Sequence, residues 1–155
     1  MRISAKVDYA VRAAAELARR SPDRESTPTK GEELGDAQQI PTKYLESILS
    51  ELRRAGIVGS RRGSEGGYWL ARRADDVSVA DIIRAVEGPL ADVRGQAPEV
   101  LDYEGAAEPL EKVWLATRVA LRRVLEAATL AHIEADELPG GLLELLADPD
   151  ALARR

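Results

Sequence analysis

Two clusters of side chains in the first half of the chain have the types and spacing to recognise a polyanion. In PTKYLESILSELRRA, residues 41–55, Lys43, Glu46, Ser47, Ser50 and Arg54 recur on one side of a helix. Leu45, Ile48, Leu49 and Leu52 recur at i, i+3, i+4, i+7 on the other. An ammonium group can donate to guanine acceptors in a major groove, and a carboxylate can accept from the cytosine amino group. Just downstream, IVGSRRGSEGGYWLARR sets Arg61 and Arg62 beside Gly63, Gly66 and Gly67, between the β-prone runs Ile57-Val58 and Tyr68-Trp69-Leu70. A glycine-rich tip with adjacent guanidiniums can approach a sugar-phosphate backbone closely, and one guanidinium can enter a narrow minor groove. The competing chemistry is a loop cradling a nucleotide phosphate. It needs a Lys-Ser/Thr pair and a helix directly after the loop, and RGSEGG is followed by neither.

Four helices and a hairpin must position these groups. Val7, Ala10, Val11, Ala14, Leu17 and Ala18 recur at helical spacing behind Ser4, a side chain suited to an N-cap, which predicts a first helix over about 4–20. SPDRESTP, residues 21–28, is a polar loop. Thr29 followed by Glu32 has the form of a capping box and predicts a second helix over about 30–37. Pro41 opens a third helix that runs to Ala55, and Gly56 is placed to end it. SVADIIRAV, 78–86, makes a fourth, capped by Ser78. Two short helices with a tight connection, the second presenting a polar face, and then a hairpin, predict a mainly α winged helix-turn-helix domain over 1–88 with a two-stranded wing.

The second half reads differently. Residues 89–108 carry Pro, Gly and acidic residues without a period and are expected to be a linker. From Pro109 to about Ile133 one long helix is expected, with Leu110, Trp114, Thr117, Leu121, Val124 and Ala128 at alternating spacings of four and three, a heptad seam. Its simplest use is a dimer interface; the alternative is that it folds back on its own domain. A last helix over about 141–147 would pad that interface, giving dimerisation helices over 109–147 and a tail over 148–155.

Composition narrows the chemistry further. The net charge of −5 conceals a split: residues 1–73 hold 14 Lys/Arg and 10 Asp/Glu, and residues 74–155 hold 8 and 17. The basic half is where a polyanion would dock. The chain has no Cys and a single His, His132, in a Leu/Ala-rich helical stretch. Thiolate chemistry and Cys-held clusters are thereby excluded, no metal site is expected, and no nucleophile–base arrangement marks an enzyme. No apolar run has the length of a membrane span and the N-terminus has no signal-peptide core, so a cytoplasmic protein without a membrane partner is expected.

Residues 1–89 resemble the Rrf2 family of bacterial winged helix-turn-helix transcription regulators, the IscR, NsrR and CymR type. The resemblance rests on ISAKVDYAVRAAAELA, IPTKYLESILSELRRAGIV and SRRGSEGGYWLAR followed by VSVADIIRAVEGP. The long helix fits that family's dimerisation helix more loosely. The resemblance implies that the third helix enters the major groove and a wing arginine the minor groove. On matching positions Lys43 and Glu46 would face base edges, and Arg62 would be the wing arginine with Arg61 and Gly63 beside it. Tyr44 and Ser47 would fix the helix on the backbone, Thr42 would be a further DNA-binding residue, and Arg2, Ser4 and Lys6 would touch phosphates. For Glu46 the plainer alternative is a solvated helix charge.

The departure from the family lies in residues 89–108. Many members carry three Cys there and hold an iron–sulfur cluster; this chain has none. Asp8 occupies a position from which some members donate a carboxylate, but one carboxylate without thiolates holds no cluster. No cofactor is therefore expected. What remains is a small-molecule effector in a pocket between the wing domain and the long helix, or a partner enzyme. Tyr103 and Trp114 are the aromatics of that half. Two functions follow: a homodimeric repressor on a pseudo-palindromic double-stranded operator, or an interaction module that binds DNA only with a metabolic enzyme, as in cysteine and sulfur metabolism.

Overall fold

A computed structural model describes residues 2–151. In chain order its elements are α1 (Ala5–Arg20), α2 (Gly31–Gln38), α3 (Thr42–Arg54), β1 (Val58–Arg61), β2 (Gly67–Leu70), α4 (Val79–Glu87), α5 (Leu110–Leu125), α6 (Leu130–Ala135) and α7 (Gly140–Leu146). Ser4 starts α1 by accepting the Val7 N–H at 3.1 Å. The buried face of α1 is largely Ala10, Ala13, Ala14 and Ala18, with Val7 and Leu17. Small side chains let other backbones come close, and α1 is the axis on which α2, α3, α4, α6 and β2 pack. Its end is tied to α2 by Glu16, a buried carboxylate that accepts from Arg19, Arg20 and Gln38. Burial pushes its pKa up, but the three donors outweigh that and hold it at about 2.

The polar face of α3 is aimed outward because its other face is committed to the core. Leu45, Ile48, Leu49 and Leu52 are all at most 1% exposed. Each such burial contributes about 1.5–3 kcal/mol. The helix ends in a Schellman turn: Gly56, at φ 71°, donates to Arg53 O at 3.0 Å, and Ile57 donates to Leu52 O at 3.0 Å. That turn feeds β1 directly, so the wing's origin is fixed by the end of α3. β1 and β2 pair antiparallel with Gly59 opposite Trp69 and Arg61 opposite Gly67. The outer edge of β2 is clamped to the α1–α2 loop, where Thr29 and Tyr68 exchange backbone hydrogen bonds at 2.9 and 2.8 Å. The capping box expected at Thr29 and Glu32 is thus not formed: Lys30 is the N-cap, without a side-chain cap. A longer-range pairing has taken Thr29, whose hydroxyl lies 2.8 Å from buried Ser21 Oγ.

The expected continuous helix over 109–133 is broken. α5 stops at Leu125, and Thr129 caps α6, its Oγ1 accepting the His132 N–H while His132 Nδ1 accepts the Thr129 N–H at 3.2 Å. Between the two helices the backbone pairs with the start of α4: Val79 donates to Ala128 O at 2.8 Å, and Leu130 donates to Val77 O at 2.9 Å. Ala128 is therefore buried within its own chain and does not belong to an exposed seam, and Leu130 joins the wing-domain core. α6, inside the expected 109–147 span, packs against α1. Nor is 89–108 a bare linker. It contains 3-10 turns at Pro98–Val100 and Gly105–Ala107, buries Leu90, Pro98 and Leu101, and lies along α5 through the Arg118–Glu99 pair at 2.6 Å. Of the expected tail, 152–155 lie outside the described residues.

Candidate nucleic-acid interface

The structure puts Thr42, Lys43, Tyr44, Glu46 and Ser47 on the exposed side of the first two turns of α3. Tyr44, 59% exposed, leans on Tyr9 of α1 with ring centroids 6.3 Å apart, and the Arg12 guanidinium lies 5.6 Å over the Tyr9 ring. Arg12 is itself held by Asp8 at 3.1 Å and by the Gln38 carbonyl. Tyr9 and Arg12 thus buttress the start of α3, a role that the sequence reading missed because it depends on how α1 and α3 cross. Asp8, weighed from the sequence as a ligand, is an ion-pair partner here.

The wing tip is closed by Arg61 Nε donating to Glu65 O at 3.1 Å and by Gly66 N–H donating to Gly63 O at 3.0 Å. Gly63 at φ 108° allows that turn. Arg62 is exposed and makes no hydrogen bond or ion pair among the described residues, so its guanidinium is available to a ligand. A groove of about 320 Å³ beside Thr42 and Glu46 is bordered by Lys30 of the α2 N-cap and by Tyr68 of β2, and it links α3 to the wing. Lys30 was not singled out from the sequence; it gains its position only through the pairing of Thr29 with Tyr68.

Arg2, Ser4 and Lys6 form a separate group. Ser4 caps α1 and also donates to Glu87, and Lys6 Nζ lies 2.7 Å from both Glu51 Oε2 and Val86 O. Ser4 and Lys6 are therefore engaged in holding α1 to α3 and α4. Arg2 is exposed at a cavity of about 200 Å³ with Glu87, Leu90 and Leu121.

The profile described as "Rrf2: Iron-dependent Transcriptional regulator" matches residues 3–136. The chain belongs to the Rrf2 family. Rv1287 of Mycobacterium tuberculosis is 43% identical over 148 residues, covering 96% of this chain and 90% of that protein. The HTH-type transcriptional regulator CymR of Bacillus subtilis is 36% identical over 133 residues, 86% of this chain and 89% of CymR. The structure of that CymR, described as the global cysteine regulator of B. subtilis, superposes with a TM-score of 0.71 at 34% identity, over 88% of this chain and 98% of that one. T. potens IscR superposes with a TM-score of 0.69 at 30% identity, over 93% and 96%. This Rrf2 protein is a winged-helix transcriptional regulator and not an enzyme.

Family membership raises the question of iron. A cluster or metal needs several soft or anionic donors converging on one point. This Rrf2 chain has no Cys, and among the described residues no three His, Asp or Glu side chains gather to hold an ion. His132 has its Nδ1 committed to the α6 cap. The donor set does not fit an iron–sulfur cluster.

The expected dimerisation residues divide. Leu110, Trp114, Leu121 and Val124 are half-buried, Thr117 is exposed, and Trp114 Nε1 donates to Tyr103 Oη at 3.2 Å. Part of the seam thus faces its own 89–108 segment. The adjoining flank, with Val113 52% exposed, lies open. No described helix is long and apolar enough to cross a membrane.

Proposed function

We propose that this regulator is a cytoplasmic homodimer that recognises a pseudo-palindromic duplex operator and represses by occupying it, without an iron–sulfur cluster. The observation that carries the reading is the pairing of an outward polar face on α3 with an unengaged wing arginine. A helix face that presents Lys43 and Glu46 suits base edges, and Arg62 on a glycine-supported tip suits a minor groove. Thr42, Tyr44, Ser47, Arg61 and Gly63 would set the register on the backbone, with Arg2 as an outlying phosphate contact. Dimerisation is supported by α5 and α7, which contain no buried residue although α7 is GGLLELL. Leu143, Leu145 and Leu146 are more than half exposed, as is Val113 of α5. Apolar surface of this kind calls for a partner, and a second copy meets the need with half-sites about 34 Å apart or a multiple of that.

A second reading has those leucines receive a partner enzyme, with DNA bound only in that complex; a small-molecule effector could act on either assembly. Fluorescence anisotropy of purified protein on duplexes selected from a random pool, with competitor DNA and chelator present, separates the readings. Specific binding by the protein alone supports the stand-alone repressor. Binding that becomes specific only on adding a co-purifying protein supports the second.

A further inference from the structure

We propose that the outer face of the wing is a second phosphate-binding surface, gripping the DNA strand on the far side of the minor groove that Arg62 enters. The inference rests on the DNA-binding reading above and extends it to residues outside the recognition helix and the wing tip. A groove of about 580 Å³ runs between the Pro22–Arg24 loop, the outer side of the hairpin and the residues that follow β2. Arg24, Arg61, Arg72 and Arg73 line it, against Asp23 as the single acid. Its floor is Trp69, which lies across Gly59 of the neighbouring strand; a β-carbon at Gly59 would overlap the indole ring. That contact holds the ring flat along the sheet, a surface on which deoxyribose can pack.

The groove's donors are available. Neither Arg24 nor the Trp69 indole N–H has a hydrogen-bond or ion-pair partner among the described residues. Arg73 is steadied by Asp75 at 3.0 Å, and Arg72 by the Asp76 carbonyl and more distantly by Asp81 at 3.7 Å, so both guanidiniums are held in place. Their charge is partly offset, which leaves Arg24 and Arg61 as the strongest attractors.

Continuity with the recognition surface says what occupies the groove. Arg24 and Arg61 also line the adjoining groove at the wing tip, which Lys30 shares. Lys30 in turn borders the groove beside Thr42 and Glu46. One belt therefore runs from the recognition helix, past the wing tip, to the outer face. The tip groove mixes its cations with Glu25, Glu33 and Glu65, so the outer face is the more cationic end. A minor groove is about 6 Å wide, too narrow for a whole hairpin, so a wing that inserts only its tip arginine has the two bordering sugar-phosphate strands along its flanks. The outer face meets the strand that continues beyond the half-site.

The test compares one selected operator core with and without about six flanking base pairs on each side. Wild-type protein is expected to lose about tenfold in affinity when the flanks are removed, because phosphate contacts dominate affinity. Arg24→Ala and Arg73→Ala should each bind the long duplex more weakly than wild type does, Arg24→Ala the more so, and should each lose less than wild type on trimming. Each should also lower the salt dependence by about one released counterion. Both positions are exposed, and unchanged thermal melting of each variant shows that the fold is intact. Wild-type affinity indifferent to the flanks, or a flank effect that persists undiminished in both variants, overturns the inference while leaving DNA binding in place. Absence of specific binding to either duplex would instead overturn the DNA-binding reading, and this inference with it.

Discussion

The wing domain and the α5–α7 arm are built from similar residues and reach opposite states. In α1 to α4 most Leu, Ile and Val are buried within the chain, and Leu130 of α6 is drawn in from beyond α5. In α5 and α7 none is fully buried. Helical periodicity alone does not produce a core; a surface is also needed for the apolar face to meet. α3 finds α1 and α4, whereas α7 buries no residue within its own described chain. The wing domain can thus be stable as a single copy, while the arm acquires its burial by association.

The largest effect that sharpens this contrast is expected in the core. Leu52→Ala should cost about 2–5 kcal/mol in chemical denaturation, at any protein concentration. Leu146→Ala should cost an isolated chain almost nothing and should lower the melting temperature only at concentrations where the chain is dimeric. Equal and concentration-independent losses would break the comparison.

Next in size is the acid limb of stability. Glu16 titrates at about 2 when folded, against an ordinary value of 4.5. A folded value below the unfolded one adds stability that is complete above about pH 4.5 and is lost as pH falls towards 2. The shift bounds that stability at about 3 kcal/mol. Glu16→Gln should flatten the wild-type decline between pH 5 and 2 in urea titrations; an unchanged slope would place the acid sensitivity elsewhere.

On the DNA side, Arg62→Ala should cost about 1–3 kcal/mol of operator affinity with no change in melting temperature. Glu46→Ala should alter the ranking of operator variants more than the affinity for the best of them; an unchanged ranking reduces Glu46 to a solvated charge. The smallest effect is expected at a cap. Ser78→Ala removes the hydroxyl that accepts the Asp81 N–H at 3.1 Å and should cost about 1 kcal/mol, measurable as a small shift in melting temperature.

What the sequence disclosed follows the range of the interactions concerned. The α3 stripe, the Gly56 stop, the hairpin and the Ser78 cap are decided within a few residues, and each is where the pattern puts it. Thr29 was misjudged because its partner, Tyr68, is distant in sequence. The break after Leu125 was hidden by a heptad spacing that runs on through Ala128, although Thr129 followed three residues later by His132 was a local sign of a new helix. For the candidate site, the outward placement of Lys43, Glu46 and Arg62 was legible from type and spacing. Lys30, Tyr9 and the outer-face arginines depend on how distant segments pack, which periodicity does not encode.

The most direct measurement is the stoichiometry and specificity of DNA binding by purified protein in the presence of a chelator, read by anisotropy with competitor DNA and by sedimentation of the complex. Two protomers on a two-fold symmetric site, with affinity indifferent to the chelator, are the expected result. Binding that is indifferent to sequence, or that becomes specific only when iron or another protein is added, would contradict it.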